Sequence, residues 1–167
     1  MTLSHDVSFT FDLNLPPAAA VRFVRDAETS LSKADFIENL QVVDDVVSAH
    51  LPVNAALFGQ QRLEFSSRLH PTEHGARLAA LPLDTDAPGW AEVAGEAQVE
   101  SAPGGSTVEY TFAITIHLKL PTPEKWGVKA LVKMIEFTAQ RVLENITANF
   151  PAAVQAAAHE AEAAYAA

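Results

Sequence analysis

The sequence predicts an α+β domain: a curved antiparallel sheet of about six to seven strands closed around one long C-terminal helix, with short helices after the first strand. Three observations lead there. Several segments alternate apolar and polar residues with a period of two, and the run from Val108 to Leu120 is the cleanest of them. Turn signals separate these segments closely enough to pair them as hairpins, which makes the sheet antiparallel. After Thr122 the apolar period changes to three and four and holds as far as Phe150.

In chain order, Val7, Phe9, Phe11 and Leu13 share one face of a first strand, with Ser8, Thr10, Asp12 and Asn14 on the other. Pro16-Pro17 ends it and starts a short helix, since proline suits the first helical position. Strand character returns from Phe36, with Leu40 and Val42 leading to a tight turn at Asp44-Asp45 and Val46 to Leu51 running back. Pro52 and Asn54 punctuate that return. Leu57 to His70 is a longer strand, and His70 to Gly75 is read as its turn. Ala76 to Leu83 comes back, Asp84 to Gly89 is a loop, and Trp90 to Glu100 alternates again. Pro103-Gly104-Gly105-Ser106 is the strongest hairpin signal.

Thr122-Pro123-Glu124 then reads as a helix start, with a capping hydroxyl, a proline and an acid in the first turn. Val128, Leu131, Val132, Ile135, Ala139, Val142, Leu143, Ile146 and Phe150 form the apolar face of a helix of about seven turns. Pro151 is expected to stop or kink it. The domain is accordingly read as residues 1–150. Residues 151–167 are read as an Ala-rich tail, a helical extension with little to bury.

Composition narrows the function classes. The 167 residues contain no cysteine, which removes disulfides, thiolate nucleophiles and cysteine-ligated metal sites. Acids outnumber bases 21 to 11, for a formal charge of −10, so no basic stripe for nucleic acid is expected. The same balance disfavours anionic membrane surfaces. The first residues lack the layout of a signal peptide, no run is long enough to span a bilayer, and the reading is cytoplasmic.

Taken in order, the segments Val7-Ser8-Phe9-Thr10-Phe11, then Leu15-Pro16-Pro17 to Asp26, resemble the first strand and proline-led helix of the helix-grip superfamily (SRPBCC), which includes the START, Bet v 1 and polyketide-cyclase-like domains. Thr107 to Leu120 followed by Trp126 to Phe150 looks like its last strand and lid-forming helix. Among its members the chain is most similar to small bacterial proteins akin to the G subunit of carbon-monoxide dehydrogenase. It departs from them in having Asn39-Leu40-Gln41-Val42 where a proline-glycine pair is usual. The resemblance implies a cavity between sheet and helix that takes lipids, hormones or polyketides. It equally admits cyclases and proteins that assist assembly of others.

The candidate ligand cavity is therefore lined by Phe9, Phe11, Gln61, Leu63, Phe65, Ser67, Tyr110, Phe112, Ile114, Trp126, Leu131, Ile135 and Val142. Gln61, Ser67 and Tyr110 are its polar members, each equally able to make a structural hydrogen bond. No cofactor, metal ligand set or catalytic residue is assigned. His70 and His74 straddle a turn rather than sharing a helix face, Asp84 and Asp86 read as a solvated loop, and Glu92, Glu96 and Glu100 as a solvated strand face. Three functional readings stay open: noncatalytic binding of a small hydrophobic molecule, a protein-interaction or assembly factor, and a cyclase- or hydrolase-like enzyme. A protein partner or homo-oligomer is left undetermined.

Overall fold

A computed structural model describes residues 1–55, 59–119 and 127–167. Its elements are β1 (Thr2–Leu13), α1 (Pro17–Arg25), α2 (Ala27–Ser30), β2 (Glu38–Val43), β3 (Val46–Ala55), β4 (Gly59–Thr72), β5 (Gly75–Ala80), β6 (Gly89–Ala102), β7 (Gly105–Leu118) and α3 (Val128–Ala166). The seven strands form one sheet in the order β1-β7-β6-β5-β4-β3-β2. Every neighbouring pair is antiparallel. The seven-stranded curved sheet and long C-terminal helix make this a helix-grip fold.

The strand parities decide which face is covered. Val108, Tyr110, Phe112, Ile114 and Ile116 of β7 are buried, as are Ala91, Val93, Ala97 and Val99 of β6 and Val47, Ala49, Leu51 and Val53 of β3. The alternate residues face outward. Helix α1 buries Ala19, Ala20, Phe23 and Val24 against β5, β6 and β7, whereas α3 packs chiefly on β1 and β3. The inner face is thus shared by two covers. Short β5 ends at Ala80, and beyond it β4 and β6 meet directly, with Glu64 opposite Trp90.

Local chemistry explains the turns. Pro103 and Gly104 form the β6–β7 connection, and Gly104 takes φ 80°, the conformation a type II turn asks of its third residue. Asn39 and Asp44 both sit at φ 54°, which short polar side chains tolerate. Asn39 coincides with the register shift between Glu38 and Gln41, so the missing proline-glycine pair is replaced by a left-handed asparagine at a bulge.

Several boundaries differ from those read in the sequence. β1 starts at Thr2 and pairs with β7 along its whole length. β3 continues through Pro52 to Ala55, because its pairing with β2 ends at His50 and Pro52 needs no donor on that side. β4 runs through Pro71 to Thr72, leaving only Glu73-His74 as the turn. Leu57, Leu120, the expected helix start at Thr122-Pro123-Glu124 and the candidate Trp126 lie outside the described residues.

The largest difference is at Pro151. Helix α3 does not stop there but continues to Ala166. An internal proline costs a helix about 3 kcal/mol. Here the packing of the next two turns offsets it: Val154, Ala157 and Ala158 are fully buried. Two polar ties add to them. Lys33 Nζ lies 2.6 Å from Glu160 Oε2, and the Asn14 N–H donates to Glu162 Oε1 at 2.7 Å. The segment expected to have little to bury therefore carries part of the core, through small residues that allow close approach. Among the described residues no helix is long and apolar enough to cross a membrane.

Candidate functional site

Among the described residues, two small cavities lie under the covers. The first, about 40 Å³, is bounded by Val24, Ala27, Ser30 and Leu31 from the α1–α2 side and by Leu78, Gly95, Ala97, Tyr110 and Phe112 from the sheet. The second, about 20 Å³, lies between Phe36 and Ile37, the inner strand residues Leu51, Phe65, Val93 and Ile114, and Ile146 and Phe150 of α3. Leu31, Val47, Leu78 and Phe112 border both, so they form the partition between them. A volume of this size holds a water or two, whereas ligand sites usually span about 300–1,000 Å³.

Tyr110 is the polar group of interest. β7 places it on the inner face opposite Phe9, whose ring stacks on it with centroids 5.2 Å apart and planes 4° from parallel. Phe11 lies nearly parallel to it at 6.2 Å, and Phe150 meets it edge-on at 6.4 Å. The residue is 5% exposed, and its hydroxyl is buried with no hydrogen-bond partner among the described residues. A buried hydroxyl left unpaired costs about 1–3 kcal/mol. Burial also pushes the phenol above the ordinary tyrosine range.

The sign of that shift makes a prediction. The folded chain favours the neutral phenol, so Tyr110 contributes full stability below the ordinary value of about 10. As pH rises above that value the unfolded chain releases its proton first, and the contribution is lost. A spectrophotometric alkaline titration should therefore show one phenol that ionises only as the fold is lost. Tyr110→Phe should remove that phase; a phase that persists in the variant would refute the assignment.

The other candidates separate. Phe65, Phe112 and Ile114 border the second cavity and Tyr110 and Phe112 the first. Phe9 and Phe11 are half-buried behind Tyr110. Leu63 is buried in the sheet, and Gln61 is half-buried near the start of β4. Ser67 is fully buried, but its hydroxyl donates to the Val93 carbonyl at 2.7 Å, a cross-sheet structural bond. Leu131, Ile135 and Val142 are half-buried on α3 and border neither cavity. Sequence reasoning missed the α1–α2 wall and Phe150. Phe150 carried the right periodicity, but Pro151 beside it marked an end rather than the middle of the gripped helix.

On the outer face, His117 Nδ1 lies 3.2 Å from Thr2 Oγ1 and its Nε2 is 3.3 Å from Glu92 Oε2, with Trp90 stacked on the ring at 5.0 Å. The sequence hydroxyl–imidazole–carboxylate invites a catalytic reading. These are, however, cross-strand neighbours on an outward sheet face, with Thr2 and Trp90 directly opposite His117. Such ladders arise from register alone. Likewise His70 lies opposite Arg77 in the β4–β5 pair, while His74 projects from the turn. Among the described residues no group of three or more His, Asp or Glu is placed to hold a metal ion.

A family profile described as "Protein of unknown function (DUF3809)" matches residues 8–148. The chain belongs to the DUF3809 family. The matched stretch takes in the second half of β1, all of β2 to β7 and more than half of α3. No curated protein matches this DUF3809 chain. Among solved structures it is similar to the Zhui aromatase/cyclase from Streptomyces sp. R1128, with 12% identity and a TM-score of 0.48 over 96% of this chain and 94% of that one. It is similar to DR_A0006 from Deinococcus radiodurans, at 18% identity and a TM-score of 0.42, covering 84% and 98% of the two chains. It is also similar to Ara h 8.0201, at 14% identity and a TM-score of 0.40, covering 90% and 99%.

Proposed function

We propose that the chain is a noncatalytic binding domain for a small, mainly apolar molecule that carries one hydrogen-bonding group. The observation that carries this reading is the Tyr110 hydroxyl, buried and unpaired among the described residues, on a residue that lines a mainly apolar cavity whose other polar members are Ser30 and Glu96. An interior hydroxyl without a partner is a standing cost, and it is recovered when a ligand atom pairs with it. Such a ligand occupies more space than the two cavities offer, so it displaces the partition at Leu31 and Phe112 and joins them. The connection from Leu31 to Ile37, between α2 and β2, contains no helix or strand and is the part of the cover best placed to yield. A cyclase- or hydrolase-like reading has less support, because neither Gln61 nor Ser67 borders the cavity that holds Tyr110.

The test separates binding from stability. Titration with 2-naphthol, a fused apolar ring with one hydroxyl, is expected to saturate at one site. Tyr110→Phe should weaken that binding about 2–10-fold, the worth of one hydrogen bond, while the unliganded variant is as stable as the parent or more so. Phe112→Trp should fill the partition and abolish binding. Absence of saturable binding by the folded parent, or equal affinity in Tyr110→Phe, would overturn the proposal.

A further inference from the structure

Helix α3 has two opposite faces. At 100° per residue, Val128, Ala139, Leu143 and Ile146 fall on the buried side. Ala130, Lys133, Met134, Phe137 and Arg141 fall on the side pointing directly away from the sheet, and all five are exposed. Phe137 is 63% exposed and Met134 49%, two large apolar side chains adjacent on one ridge. Arg141 lies over the Phe137 ring, with its guanidinium carbon 5.6 Å from the centroid. Lys129 and Lys133, both exposed, flank the pair and form no ion pair among the described residues.

The stretch of helix that bears this ridge differs in charge from the chain as a whole. From Lys129 to Arg141 it holds three of the 11 Lys and Arg and one of the 21 Asp and Glu, Glu136, a net +2, against −12 for the remainder. Total charge therefore misrepresents this surface. At physiological salt, charges further off than about 8–10 Å are largely screened, so an approaching surface meets the local cations.

We propose that the outward ridge of α3 from Lys129 to Arg141 docks on an anionic lipid surface. Apolar side chains on a protruding ridge, ringed by Lys and Arg, match the acyl–headgroup boundary, where rings and thioethers sink and cationic ends reach phosphates. Arg141 over Phe137 sets a guanidinium at the level of the ring it accompanies, which suits that boundary. A ridge rather than a groove favours a flat partner over an inserted peptide.

The experiment is flotation of the full chain with vesicles of phosphatidylcholine, with and without phosphatidylglycerol. The chain is expected to float with the anionic vesicles, not with the neutral ones, and to be released by about 0.5 M salt. Lys129→Glu with Lys133→Glu, and separately Met134→Ser with Phe137→Ser, should each reduce the bound fraction at least several-fold. These exposed substitutions should leave the fold intact by circular dichroism, and Val43→Ser, an exposed apolar site elsewhere, should leave flotation unchanged. Failure of the parent to float, or flotation undiminished in both double variants, overturns the proposal. So does a dimer in solution that Phe137→Ser makes monomeric, which would give the ridge to a second copy. Binding to soluble polyglutamate without binding to vesicles overturns it too, in favour of an acidic protein.

Discussion

Phe150→Ala is expected to lower the unfolding free energy by about 3–5 kcal/mol, with the denaturation slope unchanged. Phe150 is the point where the covers and the sheet meet. Its ring centroid lies 4.6 Å from Phe112, 5.7 Å from Phe9, 6.2 Å from Phe36 and 6.4 Å from Tyr110, so it touches β7, β1, the segment before β2 and the candidate ligand wall at once. Removing it joins the void to the second cavity, which it already borders, and neighbours drawn from several parts of the chain cannot all relax into the space. Aromatic contacts of this kind add about 0.5–1.5 kcal/mol each beyond burial. Equilibrium unfolding in urea checks the value. A loss below about 1 kcal/mol would mean that the site collapses freely and that Phe150 is not the keystone it looks.

The second large effect concerns the end of the chain. Truncation after Phe150 is expected to cost about 3–6 kcal/mol, a large share of the 5–15 kcal/mol typical of a domain. Val154, Ala157 and Ala158 would vanish from the core, together with the Lys33–Glu160 pair and the Glu162 acceptor that satisfies the Asn14 amide. The exposed ion pair contributes little; the burial contributes most. Val154→Asp in the full-length chain isolates the packing part and should cost several kcal/mol by itself, because a carboxylate at a site 1% exposed has no partner there. A truncated chain as stable as the parent would show that residues 151–167 are dispensable to the core.

The sheet was legible in the sequence because its inner strands alternate strictly. From Val108 to Ile116 every second residue is buried, and the period of two needs no tertiary knowledge to read. Turn chemistry was legible for the same local reason at Asp44-Asp45 and Pro103-Gly104. What local signals could not supply was where the helix is gripped. Pro151 is a strong breaker in isolation, and the alanines after it are mute, since alanine buries as readily as it exposes. Only the approach of those small residues to the rest of the core shows that the buried stretch of α3 runs from Ala139 across Pro151 to Ala158. Its first turns leave Leu131, Val132 and Ile135 half-covered.

The site divided in the same way. Tyr110 was found from parity, because β7 sends it inward with Phe112. That Ser67 is already bonded and that Tyr110 is not depends on the position of the Val93 carbonyl across the sheet, which no spacing encodes. The α1–α2 wall escaped for a related reason. A nine-residue helix with a four-residue follower looks like a connection, and its contact with β5, β6 and β7 is a fact of topology.

The early end of β5 has a geometric consequence. Around Arg68, where Val46 opens β3 and Val43 closes β2, all seven strands lie side by side. At the level of the β4–β5 turn β3 and β2 are absent, which leaves β1, β7, β6, β5 and β4. At the level of Glu64, Trp90 and His117, β5 has ended and β2 is at its limit, which leaves β1, β7, β6, β4 and β3. At about 4.8 Å per strand, each end is roughly 10 Å narrower than the middle. The sheet is therefore broadest at its waist and tapers both ways. Four strands run its whole length, and the fifth is β5 at one end and β3 at the other.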